Sequence, residues 1–235
     1  MSNIRLSPRL DAVASLVQPG KRLLDIGTDH AFLPCFLVQQ GLCPSAVAAD
    51  LRVGPLENAK ATIADGGLDL RVETLLSDGL DAFPPQTDCA VVFAGMGGLL
   101  IAELLERTSW VRDPTVQIVA QPMSHAEDVR RFFFENGFSL DREVCAEDGK
   151  HVYCAMAAHF TGGKTTPSPA LPYGGLLFGR DDPASARYLQ VQYTRLKKRR
   201  DALKEAGTDL SEAAWLSEVL KDFERLTACG QCGPV

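Results

Sequence analysis

Leu23-Leu24-Asp25-Ile26-Gly27-Thr28-Asp29-His30-Ala31-Phe32-Leu33-Pro34 is the stretch whose reading decides the fold. The short apolar run over 22–26 reads as a strand carrying Asp25 near its end, and it breaks at Gly27. Apolar residues resume at Ala31, Phe32, Phe36 and Leu37 with helical spacing. Strand, tight turn and helix make the first crossover of an open parallel sheet, where ligands bind in the crevice outside the strands' carboxyl ends. Gly27 removes a side chain where a ligand must come close to the backbone.

The turn is not a dinucleotide fingerprint, which needs three glycines to cradle a pyrophosphate at a helix N-terminus. Here one glycine is flanked by Asp25 and Asp29, with His30 beside them. Carboxylates repel phosphate and favour a ligand bearing amine, sulfonium or hydroxyl groups, and S-adenosyl-L-methionine answers that description. An ordinary strand-to-helix turn with solvated polar residues fits the same twelve residues.

Working outward, the same alternation of strand and helix recurs. Ser7-Pro8 opens a helix with a serine cap and proline at the first position, and Pro19-Gly20 closes it. The run 46–50 is a second buried strand ending on Asp50, placed to accept hydrogen bonds from a ribose diol; a solvated strand end or helix cap is the plainer reading. A helix over 55–65 closes at Gly66-Gly67, and 70–76 reads as the third strand. Ser77-Asp78-Gly79 follows, an acid before glycine that either receives an adenine amino group or forms a plain turn. The run 89–94 is apolar at every position and so reads as a central strand buried on both faces. Gly95-Met96-Gly97-Gly98 ends it, with backbone rather than side chains facing a flat ligand, or with a helix entry that needs tight packing. The run 117–121 is the fifth strand, followed by Pro122-Met123 and a helix over 124–136. The runs 138–147 and 151–160 flank a Glu147-Asp148-Gly149-Lys150 turn and predict an antiparallel hairpin at the edge. The expected fold class is therefore α/β: a Rossmann-like, seven-stranded, mostly parallel methyltransferase sheet over 1–162.

Residues 163–181 read as a linker, with a short extended piece at 173–178. From Asp182-Pro183 the pattern turns helical. Leu189, Tyr193, Leu196 and Leu203 face Leu216, Val219, Phe223 and Leu226 across a break at Gly207, predicting an antiparallel helical hairpin, coiled-coil-like, over 182–228. Asp209 and Glu212 resemble a capping box at the start of its second helix.

The 235 residues carry a net charge of -6, which does not advertise nucleic-acid binding. The hairpin's first helix is locally basic, however, with Arg187, Arg195, Lys197, Lys198, Arg199, Arg200 and Lys204 opposed in sequence only by Asp201. Lys197, Lys198, Arg199 and Arg200 occupy one turn and are read either as an RNA contact or as a solvated face. No run of about 18 apolar residues predicts a membrane span. The polar N-terminus and seven cysteines, mostly in apolar runs, point to reduced core thiols and a cytoplasmic protein. Cys229-Gly-Gln-Cys232 is half a zinc site at best, so no metal is expected. No protein partner is evident.

Asp-Ile-Gly-Thr-Asp-His-Ala-Phe-Leu-Pro at 25–34, Ser-Asp-Gly-Leu at 77–80, Ala-Gly-Met-Gly-Gly at 94–98, Gln-Pro at 121–122 and Glu-Asp-Gly-Lys at 147–150 together resemble the bacterial tRNA (adenine(22)-N1)-methyltransferase family. The resemblance runs in order over about residues 5–160, and the helical hairpin behind it is similar to that family's C-terminal domain. It implies methyl transfer from S-adenosyl-L-methionine to N1 of adenosine 22 in the D-loop of tRNA. It places Asp25, Gly27, Thr28, Asp29 and His30 at the methionine end, Asp50 at the ribose, Asp78 and Gly79 at the adenine, and Gly95, Met96 and Gly97 at the reacting face. Asp29 and His30 are the candidate catalytic pair, and Gln121 and Pro122 sit at the target base. Two positions depart from the family: Met123 stands where asparagine is usual, and Tyr153-Cys154 where Tyr-Glu is usual. The alternative is a methyltransferase for a small molecule or protein with the hairpin used for oligomerisation; a further rival is an RNA-binding module on a degenerate fold.

Overall fold

In the computed structural model, which describes residues 4–230, the fold grows from two adjacent strands that are buried on both faces. These are β1 (Arg22–Ile26) and β4 (Cys89–Gly97), paired in parallel from Arg22↔Cys89 to Ile26↔Phe93. On one side of β1 lie β2 (Ala46–Asp50) and then β3 (Val72–Leu76), also parallel. On the other side of β4 lies β5 (Gln117–Ser124), followed by the antiparallel hairpin of β6 (Phe138–Asp148) and β7 (His151–Phe160). The order is β3-β2-β1-β4-β5-β7-β6, with β7 inserted between β5 and β6. The chain leaves β1 in one direction and returns to β4 in the other, so the topological switch point is the β1/β4 gap.

Alternation along the strands splits the core in two. Leu23, Ala46, Ala48, Ala90 and Val92 pack with α1 (Pro8–Ala14), α2 (Phe32–Gln39) and α3 (Val53–Gly66). Leu24, Ile26, Val47, Val91, Phe93 and Ile118 pack with α4 (Gly98–Arg107) and α5 (Ala126–Glu135) on the other face. The helix ends follow local chemistry. Ser7 accepts from the Leu10 N–H with Pro8 at the first position of α1, and Gly67 closes α3 in the left-handed conformation at φ +64.

Several expectations shift. β3 starts at Val72 rather than at residue 70, because Leu70 is fully exposed in the turn after α3. β4 does not stop at Ala94: Gly95 bulges at φ +90, and pairing with β5 resumes at Met96↔Pro122 and Gly97↔Ser124. The segment 173–178, expected to be extended, is helical: α6 (Leu171–Gly174) runs into a 3-10 turn at Gly175–Gly179.

That segment is held by a buried ion pair. Arg130 on α5 and Glu143 on β6 are both buried to within 1% exposure and meet at 2.7 Å. Arg130 also donates to the Pro172 carbonyl at 3.0 Å and lies over the Tyr188 ring, while Glu143 accepts from the Leu176 N–H. An added Cβ at Gly175, whose φ is +51, would strike Glu143 Oε2 and Arg130 Nε. The hairpin, α7 (Pro183–Ala206) and α8 (Leu210–Gly230), thus docks on the sheet through this pair and a shared core that includes Phe178, Tyr188, Leu189, Leu196, Leu216, Val219 and Phe223. At the hairpin bend, the Asp209 carboxylate caps the Glu212 N–H at 3.0 Å. The expected reciprocal half of the capping box is absent, because Glu212 turns to Arg199 instead. The described residues include no helix long and apolar enough to cross a membrane. Cys232, the second cysteine of the C-terminal pair, lies outside the described residues.

Removing one partner of a buried pair leaves the other charge stranded, at a cost of about 3–5 kcal/mol. Arg130→Met should therefore lower the thermal midpoint by several degrees, while Arg130→Met combined with Glu143→Met recovers much of the loss. Thermal unfolding of the three proteins checks this, and an unshifted midpoint for the single variant refutes it.

Candidate active site

The carboxyl ends of β1 to β5 share one edge, and the loops that leave them build the candidate site. The two that flank the switch point touch. A Cβ placed on Gly27, whose φ is +79, would lie 3.0 Å from Met96 Sδ. Any side chain at 27 would therefore have to displace Met96 and adopt a left-handed backbone. The Gly27 and Thr28 N–H groups both donate to the Ala49 carbonyl, at 2.8 and 2.9 Å, which fixes the turn against β2.

Asp25 sits under this turn, 5% exposed. Burial raises its pKa to about 6, and a hydrogen bond with the Thr28 hydroxyl opposes part of that rise. The Thr28 oxygen in turn accepts from the Ala31 N–H at 3.1 Å, so one buried threonine joins the carboxylate to the start of α2. Asp29 and His30 lie outside it, with side chains 71% and 44% exposed and 3.4 Å apart. The His30 ring stacks on Phe32 at 5.1 Å.

Asp50 ends β2 almost buried. One carboxylate oxygen accepts from the Arg52 N–H at 2.7 Å, so it serves the entry to α3 and leaves the second oxygen for another donor. Asp78 behaves differently. Its carboxylate lies 2.9 Å from Arg107, whose guanidinium also reaches Asp81 and the Asp78 carbonyl. Gly79 is required by packing, since a Cβ there would meet Leu104 at 2.3 Å. The three glycines of the β4 loop likewise have separate causes. Gly95 forms the bulge, Gly97 has room beside it, and Gly98 packs against the His125 carbonyl, where a Cβ would come to 2.1 Å.

Gln121, which the resemblance places at the target base, does not reach open surface. It is wholly buried, accepts from Arg9 Nη1 and donates to the Pro122 carbonyl at 3.0 Å; Pro122 is buried too. The basic turn of α7 is also less free than its sequence suggests. Arg199 is bound by Glu212 and Arg200 by Asp201, while Arg195 and Arg187 are bound by Glu127 and Glu147. Among the described residues Lys197, Lys198 and Lys204 make no ion pair.

Sequence reasoning missed three groups. Leu51, Val53 and Leu76 are exposed apolar residues around the ends of β2 and β3, and Phe32, Leu99, Leu100 and Met123 stand exposed beyond β1, β4 and β5. Both sets could be found only by asking which apolar residues follow a strand's carboxyl end. Arg9, from the first turn of α1, is the third. A cavity of about 950 Å³ lies between α7, α8 and the 3-10 turn, and none of the rim residues lines it. A cluster of His125, Glu127 and Asp128 has metal-ligand spacing, but Arg195 and Arg131 already hold its carboxylates.

The rim has the acceptors and shape for a cationic nucleoside ligand: a buried carboxylate, a second carboxylate with one free oxygen, a side-chain-free turn and apolar walls. Sheet order and rim together define a class I methyltransferase, and residues 6–156 match the family described as "Methyltransferase domain". The chain is 34% identical over 151 residues to the tRNA (adenine(22)-N(1))-methyltransferase of Bacillus subtilis; that stretch is 64% of this chain and spans 63% of the relative's length. It is 30% identical to a Streptococcus pneumoniae protein solved in complex with S-adenosyl-L-methionine, with a TM-score of 0.78 over 92% of this chain and 100% of that one. A Streptococcus agalactiae protein of the NADB-Rossmann superfamily aligns with a TM-score of 0.82 at 27% identity, over 96% of this chain and 98% of that chain. The chain belongs to the bacterial tRNA (adenine(22)-N1)-methyltransferase family.

The raised pKa of Asp25 has a measurable consequence. The folded value of about 6 lies above the unfolded value of 3.8, so folding takes up a proton between them. The Asp25 contribution to stability is greatest below that window, falls as pH rises through it, and is level above it; the ionised form costs on the order of 3 kcal/mol at neutral pH. Asp25→Asn should flatten the fall in thermal midpoint of the ligand-free protein between pH 5 and 7.5. A cationic ligand favours the carboxylate, so wild-type affinity for S-adenosyl-L-methionine should rise from pH 5 to 7 and that of the variant should not. Identical profiles by scanning fluorimetry and calorimetry contradict the assignment.

Proposed function

We infer that the protein transfers a methyl group from S-adenosyl-L-methionine to N1 of adenosine 22 in bacterial tRNA, in the cytoplasm where that substrate is made. The observation that carries this reading is the Gly27–Met96 approach across the β1/β4 gap, with carboxylates beneath and beside it. When bound, the cofactor supplies an electrophilic methyl on a sulfonium.

The chain's own residues divide the remaining work. Asp25 and Thr28 form the buried polar floor below the methionine end. The free oxygen of Asp50 accepts from the ribose hydroxyls. Leu51, Val53 and Leu76 cover the adenine beside the Asp78-Gly79 turn. Asp78, already engaged by Arg107, retains one oxygen for the adenine amino group. Gly95, Met96 and Gly97 present backbone and a polarizable side chain to the incoming purine. Phe32, Leu99, Leu100 and Met123 give that purine an apolar seat when it leaves the tRNA stack.

N1 of neutral adenine has a free lone pair once the base is unpaired. Alignment therefore matters more than proton removal. Asp29, exposed beside His30, accepts from the N6 amino group and so turns N1 toward the crevice; His30 is steadied by Phe32 and can take the proton that the product sheds. Lys197 and Lys198 face solvent without carboxylate partners and supply phosphate contacts from α7. The second reading, a methyltransferase for a small molecule or protein, gains nothing specific from the rim.

The direct test incubates the protein with labelled cofactor and total bacterial tRNA and maps the modified nucleotide. Label at N1 of adenosine 22 is expected; label elsewhere or none contradicts the reading. Asp29→Ala should lower turnover by 100-fold or so with cofactor affinity retained, in the range of a lost positioning or acid–base group, about 10²–10⁴. Full turnover would leave Asp29 without a chemical role. Lys197→Ala with Lys198→Ala should weaken tRNA binding and flatten its salt dependence, and unchanged binding would return this turn to a solvated face.

A further inference from the structure

Cys145 and Cys154 face each other across the β6/β7 hairpin. The pair Asp148↔His151 closes a two-residue turn at Gly149 and Lys150, so it exchanges backbone hydrogen bonds. Pair types alternate from there, and Cys145↔Cys154, three steps on, is a pair without such bonds. Side chains stand closest in pairs of that kind, with Cβ atoms about 4.5–5.5 Å apart. Both thiols are free, and both lie in the core on the α4 and α5 side of the sheet. Neither has a part in the methyl transfer.

Cys154 also belongs to the cluster that fastens the helical hairpin. Its Sγ accepts from Arg130 Nη2 at 3.2 Å, and its S–H reaches Glu143 Oε1 at 3.7 Å. The same guanidinium donates to the Pro172 carbonyl, and the same carboxylate accepts from the Leu176 N–H. One sulfur therefore stands between a second thiol and the pair that holds residues 171–179. Burial keeps the Cys154 thiol well above its ordinary pKa range, so it is protonated at rest. Cys145 lies on the edge strand and is the more exposed of the two, at 9% against 2%, so an oxidant meets it first. Once Cys145 is oxidised, Glu143 is placed to take the Cys154 proton and Arg130 to hold the thiolate charge.

We propose that Cys145 and Cys154 form a reversible cross-strand disulfide, whose formation draws the Cys154 sulfur off Arg130 and loosens the helical hairpin's hold on the sheet. The oxidant is hydrogen peroxide. The Cys145 sulfur attacks one peroxide oxygen, the O–O bond breaks, and the second oxygen leaves as water with the thiol proton. The Cys154 sulfur then attacks the sulfenic sulfur of Cys145. The S–O bond breaks, the S–S bond forms, and the hydroxyl leaves as a second water with the Cys154 proton. The two thiols together give up two electrons, and peroxide takes them. A disulfide needs Cβ atoms roughly 3.5–4.5 Å apart, nearer than an open pair, so the strands are pulled together and a thiol readily reduces the bond again. The device acts on the fold and does not depend on which substrate is methylated.

The test treats the native, fully reduced protein with a small excess of hydrogen peroxide and reads intact mass, peptide linkage and amide hydrogen exchange. A mass lower by two hydrogens is expected, with the peptides holding Cys145 and Cys154 joined, and dithiothreitol should restore the starting mass. Exchange over 171–179 should quicken about tenfold in the oxidised form, the scale of one hydrogen bond lost from a charged group. Dithiothreitol should reverse that change too. Cys145→Ala should show neither the link nor the faster exchange after the same treatment. Retention of both thiols, or their pairing with other cysteines, overturns the proposal. So does a 145–154 bond that leaves exchange over 171–179 unchanged, or exchange that quickens equally in Cys145→Ala. Should Cys145→Ala fail to fold, the oxidised and re-reduced wild-type protein decides the matter alone.

Discussion

β1 and β4 lie side by side, and the loops that follow them turn to opposite faces of the sheet. Met96 Sδ stands where a Cβ on Gly27 would need room, so this close approach exists only because residue 27 lacks a side chain. The crevice is therefore a consequence of strand order, with one glycine keeping it from being filled. The groups around it owe their positions to the same frame. Asp25 and Asp50 sit at or next to the last residues of adjacent parallel strands, so the register Asp25↔Ala48 and Asp50↔Leu76 sets their separation along the rim. Burial holds the Asp25 carboxyl above its ordinary range, so its ionisation opposes folding as pH rises through that range, and a cation bound beside it would offset the cost.

Much of this was legible in the sequence. Continuous apolar runs marked the central strands, glycine and proline marked the helix ends, and the turn Glu147-Asp148-Gly149-Lys150 marked the antiparallel hairpin. What could not be read follows from contacts between distant segments. Gly79, Gly98 and Gly175 look like flexible or ligand-facing positions, yet each is a glycine because Leu104, the His125 carbonyl or Glu143 occupies the place of a Cβ. Arg130 falls beside the apolar positions Val129 and Phe133, and nothing local says that it is buried; its partner Glu143 lies on a strand 13 residues away. The resemblance puts Gln121 at the target base, but its hydrogen-bond partner Arg9 is 112 residues earlier in the chain.

The hairpin shows the same limit of local reading. Its basic turn appears as four consecutive cations, and two of them are consumed by Glu212 and Asp201. The surviving charge is Lys197 and Lys198, a smaller patch than the run implies. In compensation the hairpin is not loosely tethered. Arg130 and Glu143 fasten the segment before it to α5 and β6, and Arg195 reaches Glu127 at the start of α5, directly after the β5 loop. The basic helix and the rim thus share one element.

The central claim is that the crevice between the ends of β1 and β4 holds the methyl donor. A crystal structure of the protein with S-adenosyl-L-methionine tests it most directly. The account predicts donor density over Gly27, with its charged end toward Asp25 and its ribose hydroxyls on Asp50. Density in the groove between α7 and α8, or a ligand that leaves Gly27, Asp25 and Asp50 untouched, would contradict it.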